Sequence, residues 1–455
     1  MNVTSTRPRL SVIGLGKLGS PMAAVFGVKG FDVVGVDLSS TFVSALNAGR
    51  APVEEPQLQE FLDRAKGRIR ATGDYEDAIR STDITFIIVP TPSGPDRLFQ
   101  NRYVVDAVER IGKALHNKSD YHVVVVTSTV MPGSTGGEIR AALERTSGRI
   151  VGENLGLCYN PEFIALGSVV RDMLFPDMIL IGESDTRAGD MLEAVYRGST
   201  ESTPEFHRMN LVNAELCKIS VNTFVTTKIS YANMIADMCD HLPGADAHVV
   251  TRAVGADSRI GRKYLKPAIG YGGPCFPRDN KAFAALGRKL GVNCELAEAT
   301  DRVNDHQLHR LMGAVEASVS PGQTIAVLGL SYKPHTGVVE ESQGVSLAVM
   351  LAEAGYGVMV SDPMANDAGV AVLGTRADVF ASAADAVANA DAVVIMTPWP
   401  EFSEINWHSG LSAGQSRVVI DPWGIVETTE TSGVKLVRLG RGDWRHASAA
   451  REAAA

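Results

Sequence analysis

Paired cysteines are missing from this chain. Its five cysteines, Cys158, Cys217, Cys239, Cys275 and Cys294, are scattered over 455 residues with no C-x-x-C pair. That spacing argues against a disulfide framework or a zinc cluster, so no metal is expected, and it fits a reducing, cytoplasmic setting. Long apolar runs are missing too. No stretch approaches the roughly 18 residues that would span a bilayer, and the opening MNVTSTRPRL runs polar into a strand without a signal-peptide core. The expectation is no membrane association. Nor is there an excess of positive charge. A formal net charge of -9 argues against nucleic acid as a partner and leaves room only for a local basic pocket around a phosphate ligand. What remains is ordinary globular composition, 45% hydrophobic and 21% charged, in a length that suits two or three domains. The alanine-rich end, Ala447 to Ala455, reads as a frayed tail.

The apolar run from Leu10 ends in Gly14-Leu15-Gly16-Lys17-Leu18-Gly19. A helical apolar pattern follows through Met22, Val25 and Phe26, and a second buried strand runs from Phe31 to Asp37. A lone G-x-G-x-x-G is weak evidence; strand, glycine turn, helix, strand and terminal acid in one βαβ unit are strong evidence for dinucleotide binding. The glycines permit a tight turn and close approach of the pyrophosphate, and the helix N-terminus offers unpaired N–H donors. Asp37 is placed to accept from the adenosine ribose. Leu38-Ser39-Ser40 holds no arginine for a 2′-phosphate, which favours NAD over NADP. Further strands at Ile84–Val89 and His122–Thr127 end in Pro90-Thr91-Pro92 and Ser128-Thr129-Val-Met-Pro-Gly133. In a parallel sheet those turns lie at the carboxyl edge, with Thr129 towards the nicotinamide side. A strand from Leu155 to Tyr159 leads to Asn160-Pro-Glu162-Phe163 and puts another carboxylate at that edge.

From Met209 to about His241 there is neither glycine nor proline. The apolar recurrence predicts one long helix or two abutting ones, capped by Asn210 or Asn213. Lys218 and Asn222, four apart, share a face; so apolar a helix leaves the lysine either snorkelling to water or serving a site. A second helix is expected from about Glu295 to Ser318. Two such helices suit a subunit interface or a bridge between domains.

The last third echoes the first. Thr324–Leu330, Gly357–Asp362 and Ala392–Pro398 resemble, in order, Leu10–Leu15, Val33–Asp37 and Phe86–Pro92. The echo predicts a second doubly wound domain. Its first turn, Gly329-Leu-Ser-Tyr-Lys333-Pro, lacks the phosphate fingerprint, so it is expected to hold the other ligand, with Lys333 at the strand edge. The fold class is thus α/β: two Rossmann-like doubly wound domains joined by a helical middle. The expected bounds are 1–205, 206–318 and 319–455.

The chemistry is expected in Gly270-Tyr-Gly272-Gly-Pro-Cys275-Phe-Pro-Arg278-Asp279. Glycine and proline oppose a helix interior, so this reads as a rigid loop presenting one thiol. On the loop alone, a tight turn with a structural cysteine is the simpler reading.

Together these motifs change that balance. A Rossmann domain, Ser-Thr-Val-x-Pro-Gly, Asn-Pro-Glu-Phe, Ala-Glu-Leu-x-Lys-x-x-x-Asn, Gly-Gly-x-Cys-Phe-Pro-x-Asp and Lys-Pro-x-Thr follow in one order from about Leu10 to Trp423. The set resembles the UDP-glucose/GDP-mannose dehydrogenase family. The resemblance implies NAD-dependent, four-electron oxidation of a nucleotide sugar's C6 hydroxyl to a carboxylate. It implies Cys275 as nucleophile, passing through a thiohemiacetal and a thioester. Lys218 and Asn222 would stabilise the oxyanion, Asp279 would orient a water or Lys218, and Glu162 and Thr129 would serve the hydrolysis. The cofactor would meet the Gly14–Gly19 turn, Asp37, Pro90, Thr91, Thr129 and Arg278. The sugar nucleotide would meet Glu162, Phe163, Lys218, Asn222, Gly272 and Lys333, with Tyr264 on the base and Arg259 reaching the neighbouring subunit's diphosphate. A homodimer or higher homo-oligomer through the central helices is implied as well.

The sequence departs from the family pattern where Ile164-Ala-Leu166-Gly167 lacks an acid, and where Glu340 and Trp423 replace two arginines. Arg278, Lys263 and Arg262 are the candidate replacements for the lost cations. UDP-glucose is the favoured substrate, with GDP-mannose and UDP-N-acetylhexosamines as alternatives. A two-electron hydroxyacid-type dehydrogenase shares the first domain but needs neither the cysteine nor a second α/β domain. A ligand sensor that kept the fold is the non-enzymatic alternative.

Overall fold

The computed structural model describes residues 7–412, 414–427 and 433–442. The first six residues of the polar N-terminus and the alanine-rich tail lie outside the described residues. The chain divides into two compact units, Met1–Ser220 and Val221–Ala455.

In the first unit the strands are β1 (Leu10–Ile13), β2 (Val33–Val36), β3 (Ile69–Thr72), β4 (Ile84–Ile87), β5 (Val123–Val126), β6 (Gly156–Tyr159), β7 (Met178–Glu183) and β8 (Glu205–Met209). They form one sheet in the order β3-β2-β1-β4-β5-β6-β7-β8. Six strands run parallel, while β7 pairs antiparallel with β6 and β8 follows β7. The chain crosses after β3 to place β4 on the other side of β1, and the switch point falls beside the glycine turn. Strands β1, β2, β4, β5 and β6 are buried along their whole length, as mostly apolar strands are when helices cover both faces. Phe26 packs from the helix Gly19–Val28 against Phe86 of β4 at 5.2 Å between ring centres.

The middle of the chain is a single helix, Leu211–Asp240, of 30 residues, or about 45 Å at 1.5 Å per residue. Asn210 is its cap, with its Oδ1 accepting from the Asn213 amide at 2.9 Å. This helix passes from the first unit into the second.

In the second unit the helices Phe276–Leu290 and Glu295–Glu316 precede a sheet. Its strands are β9 (Thr324–Leu328), β10 (Gly357–Ser361), β11 (Asp378–Val379), β12 (Ala392–Ile395), β13 (Arg417–Ile420) and β14 (Val434–Val437). The order β11-β10-β9-β12-β13-β14 repeats that of β3-β2-β1-β4-β5-β6, and every pairing is parallel. One expectation needs correction. The stretch 270–279 is not loop throughout, because Cys275 is the N-cap of the helix Phe276–Leu290 and Pro277 lies in its first turn. Proline is tolerated there because that turn's N–H groups have no intrahelical acceptor. Arg278 and Asp279 are therefore helical.

Candidate active site

The glycine turn is shaped by contact. Gly14 has φ +96°, and a Cβ there would sit 2.2 Å from the Ile88 carbonyl oxygen. At Gly19 a Cβ would meet the Gly14 oxygen at 1.8 Å, so the helix start can press against the strand only if residue 19 is glycine. Gly16 differs: nothing lies within 4 Å of a Cβ placed there. Packing does not demand glycine at 16, whereas a backbone-hugging pyrophosphate does. Lys17 is exposed and Leu18 half-buried beside it. Asp37 Oδ2 accepts from the Leu15 amide at 2.7 Å and its Oδ1 from the Ser39 amide at 2.7 Å. A carboxylate has about four acceptor positions, so two remain for a ribose diol. The turn thus fits a dinucleotide.

Two neighbouring turns are bolted together. The Thr91 hydroxyl donates to the Thr129 carbonyl at 2.7 Å, and the Ser128 hydroxyl bridges Val89, accepting from its N–H and donating to its carbonyl. Pro90 is exposed, and the Thr129 side chain half-buried. The segment after them is held from below by Glu215. That fully buried carboxylate accepts from the Gly133 and Thr135 amides at 2.6 and 2.7 Å.

Glu162 follows β6. It is half-buried, and burial pushes its carboxyl up to about 7 against the opposing influence of Tyr196 and Lys218. The Tyr196 hydroxyl lies 3.0 Å from Glu162 Oε1 and 2.5 Å from Asn160 Oδ1. Lys218, 6% exposed, donates to the Glu162 carbonyl at 2.6 Å, and its ammonium sits 4.6 Å from the Phe163 ring centre. Carbonyl and ring face keep that buried amine solvated in water's place.

In the second unit Asn222, one turn beyond Lys218, donates from Nδ2 to Asp279 Oδ2 at 2.6 Å. Asp279 is 1% exposed and also meets Arg278 at 3.4 Å. Cys275 is exposed at the helix N-terminus, where the first-turn N–H groups favour a thiolate. The glycines before it are set by close packing. A Cβ on Gly272 would lie 2.2 Å from the Glu341 oxygen, and one on Gly273 2.5 Å from the Tyr332 ring. The Gly273 amide donates to the Glu340 carbonyl at 3.1 Å. Gly272 is therefore demanded by the chain's own backbone.

The partner segment, 330–343, is an insertion. A Cβ on Gly344 would meet the Gly329 oxygen at 2.1 Å, the same relation that joins Gly19 to Gly14. Four residues separate the first pair and fourteen the second. The second domain thus keeps the outer glycines of a dinucleotide turn and replaces its middle with a loop carrying Tyr332, Lys333 and Glu340. Asp362, the counterpart of Asp37, is saturated: it accepts from the amides of Leu330, Ser331, Met364 and Ala365, from the Ser331 hydroxyl and from the Trp399 indole. No acceptor position remains for a ribose. Trp423 is likewise built in, donating its indole N–H to the Met396 carbonyl at 3.2 Å.

Two predicted residues lie at the surface. The Arg259 side chain is 86% exposed and tied to Asp257 at 2.7 Å. Tyr264 is half exposed at φ +62° and meets the Phe276 ring edge-on. Lys333 is half-buried within the inserted loop. Among the described residues no His/Cys/Asp/Glu group could hold a metal, and no helix is long and apolar enough to cross a membrane. No role was anticipated for Asn160, Tyr196, Glu215 or Gly344. Asn160 carried a signal as the first residue of Asn-Pro-Glu-Phe, and Glu215 as the acid of Ala-Glu-Leu-Cys-Lys.

One glycine turn open to a pyrophosphate, one closed by its own side chains, and a cysteine on a helix N-terminus define a dehydrogenase with a second ligand domain. The chain belongs to the UDP-glucose/GDP-mannose dehydrogenase family. Residues 8–200 match that family's NAD binding domain, 212–306 its central domain and 326–428 its UDP binding domain. The cofactor is accordingly NAD, and the family is one of NAD-dependent nucleotide-sugar 6-dehydrogenases. The chain is 38% identical over 425 residues to the UDP-glucose 6-dehydrogenase AglM of Haloferax volcanii, covering 92% of this chain and 98% of that protein. It is 34% identical to the GDP-mannose 6-dehydrogenase of Pseudomonas syringae over 78% of this chain and 80% of that one. Among solved structures, a UDP-glucose dehydrogenase from Pyrobaculum islandicum superposes with a TM-score of 0.87 at 35% identity, covering 96% of this chain and 98% of that one.

Proposed function

We propose that this chain oxidises UDP-glucose to UDP-glucuronate in two NAD-dependent steps through a covalent adduct on Cys275. The observation that carries the reading is Cys275 itself, exposed on a helix N-terminus in a loop whose glycines are packed against the inserted 330–343 segment. UDP-glucose is favoured over GDP-mannose because a UDP-glucose dehydrogenase structure superposes with a TM-score of 0.87 and a GDP-mannose dehydrogenase structure with 0.54.

Gly14, Gly16, Gly19 and Asp37 hold the dinucleotide, with Pro90, Thr91, Thr129 and Arg278 completing its surroundings. When bound, NAD would supply the hydride acceptor for each oxidation at C6, and the hydroxyl proton released each time would pass to solvent. The chain's own groups manage everything else. Lys218 and Asn222 hold the C6 oxygen and stabilise negative charge on it. The Cys275 thiolate adds to the aldehyde carbon, and the thiohemiacetal is oxidised to a thioester. Asp279 fixes the Asn222 amide through their 2.6 Å bond. Water then attacks C6, the C6–Sγ bond breaks, and the water proton passes to Glu162, with Thr129 positioning the water. Phe163, Gly272, Lys333, Tyr264 and Arg259 bound the sugar nucleotide. A thiolate nucleophile needs a reducing compartment, which agrees with a cytoplasmic enzyme. The test is stoichiometry: with UDP-glucose and NAD, two NADH per sugar and a carboxylate product are expected. One NADH per sugar, or a faster reaction with GDP-mannose, would overturn the reading.

The assembly we propose is a homodimer through the long helix. Phe224, Tyr231, Met234 and Met238 recur at spacings of seven, three and four on that helix and are 63%, 48%, 42% and 59% exposed. So large an apolar stripe marks a binding surface. The wild-type chain should scatter light as a dimer at micromolar concentration, and the pair Phe224→Glu and Met238→Glu as a monomer. A monomeric wild type sinks the proposal.

A further inference from the structure

The geometry points to Tyr196 as the positioning residue that decides when Glu162 serves as a base, a role that rests on the proposed thioester hydrolysis. Tyr196 is 3% exposed on the helix Thr186–Ser199. Its hydroxyl oxygen lies between two oxygens, Asn160 Oδ1 at 2.5 Å and Glu162 Oε1 at 3.0 Å. The amide orientation of Asn160 is settled by its other bond, in which Nδ2 donates to the Leu180 carbonyl at 2.9 Å. Asn160 can therefore only accept from the tyrosine. A phenol has one proton to give, so it cannot satisfy Asn160 and an ionised Glu162 together.

The conflict disappears when Glu162 is protonated. The carboxylic acid then donates to the tyrosine oxygen, and the tyrosine donates to Asn160. Ionisation of Glu162 requires the phenolic O–H to swing from Asn160 to the carboxylate, leaving Asn160 Oδ1 without that donor. The phenol itself stays protonated, because burial and the nearby carboxyl raise it well above its ordinary range. The groups that face Glu162 are therefore Tyr196 from one helix and Lys218 from another, with Asn160 two residues before it on the chain. Lys218 spends a donor on the Glu162 main-chain carbonyl. Tyr196 is the neighbour whose hydrogen bond changes direction with the charge on the Glu162 carboxyl. It couples the general base to a buried polar chain that ends on β7.

The test reads the hydrolytic step alone. Thioester breakdown is followed by the decay of the uronyl adduct on intact protein after both oxidations of a single turnover, across pH. In the wild type the decay rate rises with pH as Glu162 ionises. Tyr196→Phe removes the charge-assisted bond that only the carboxylate receives and that holds Glu162 down, so the rise moves to higher pH by about one unit; a shift to lower pH means that the bond to Asn160 dominates and overturns the assignment. Replacing Tyr196 with a ring-fluorinated tyrosine, a stronger donor of the same shape, moves it to lower pH. Glu162→Gln abolishes the rise. A Phe profile superimposed on the wild type overturns the assignment while leaving the cysteine chemistry standing. If Tyr196→Phe does not fold, an unmoved profile in the fluorinated chain is equally decisive. Failure of the wild type to form any adduct instead overturns the hydrolytic reading beneath it.

Discussion

Cys275→Ala is expected to abolish conversion of UDP-glucose to the acid, with turnover to carboxylate falling by roughly 10⁴-fold or more, the scale seen when a covalent nucleophile is removed. The loss should be confined to chemistry. Cys275 is exposed, and its side chain is not the cap of the helix it precedes. The loop geometry is set by Gly272 and Gly273 against Glu341 and Tyr332, and the helix start by Pro277. Trimming a sulfur from that surface leaves those contacts in place, so melting temperature and affinity for UDP-glucose should stay close to wild type. Without the thiolate the aldehyde has no covalent route to the thioester level. Any residual NADH should therefore not exceed one per sugar. Undiminished acid production by the variant would remove the reason for the loop.

Asp279 makes a related prediction harder to read, which is why the cysteine is the better probe. Asp279 is buried and pairs with both Asn222 and Arg278. Removing it takes the acceptor from the buried Asn222 amide.

Much of this arrangement was readable from residue order because it rests on local rules. The first βαβ unit, its switch point and Asp37 follow from a glycine turn between two apolar runs. The helix Leu211–Asp240 lies within two residues of its expected ends, since a stretch without glycine or proline has little else to become. The three echoes in the last third were real strands, β9, β10 and β12, in matching order. What stayed hidden depends on contacts distant in sequence. Gly344 looks like an ordinary helix glycine until its neighbour, the Gly329 carbonyl fifteen residues earlier, is seen. Gly272 reads as room for a ligand, and only the fold shows that a Cβ there would also meet the Glu341 oxygen at 2.2 Å. Tyr196 belongs to no motif, and only folding brings it to Glu162, 34 residues away. Phe276 to Asp279 were assigned to a loop because proline and glycine were weighed as helix breakers, although proline in a first turn is a helix starter.

The contrast between Gly16 and Gly19 yields the second large effect. Gly16→Val should fold as the wild type does, with a melting temperature within about 2 °C, because the space beside residue 16 is empty of protein atoms. Gly16 is also absent from the positive-φ glycines of the chain, so a branched side chain meets no backbone strain there. The branched carbons would instead project into the path of the pyrophosphate, whose approach to the backbone is what the middle glycine permits. The KM for NAD is expected to rise at least ~10-fold, about 1.4 kcal/mol of lost binding, while UDP-glucose affinity, measured without cofactor, stays unchanged. Gly19→Ala should behave oppositely. Its Cβ would fall 1.8 Å from the Gly14 carbonyl oxygen, a backbone atom that cannot rotate away, so the variant should lose about 3 kcal/mol or more of stability before cofactor is added. Calorimetry of the two apo variants beside NAD titrations separates the outcomes. If Gly16→Val destabilised the apo protein as much as Gly19→Ala, the empty space at residue 16 would owe its shape to folding and not to the dinucleotide.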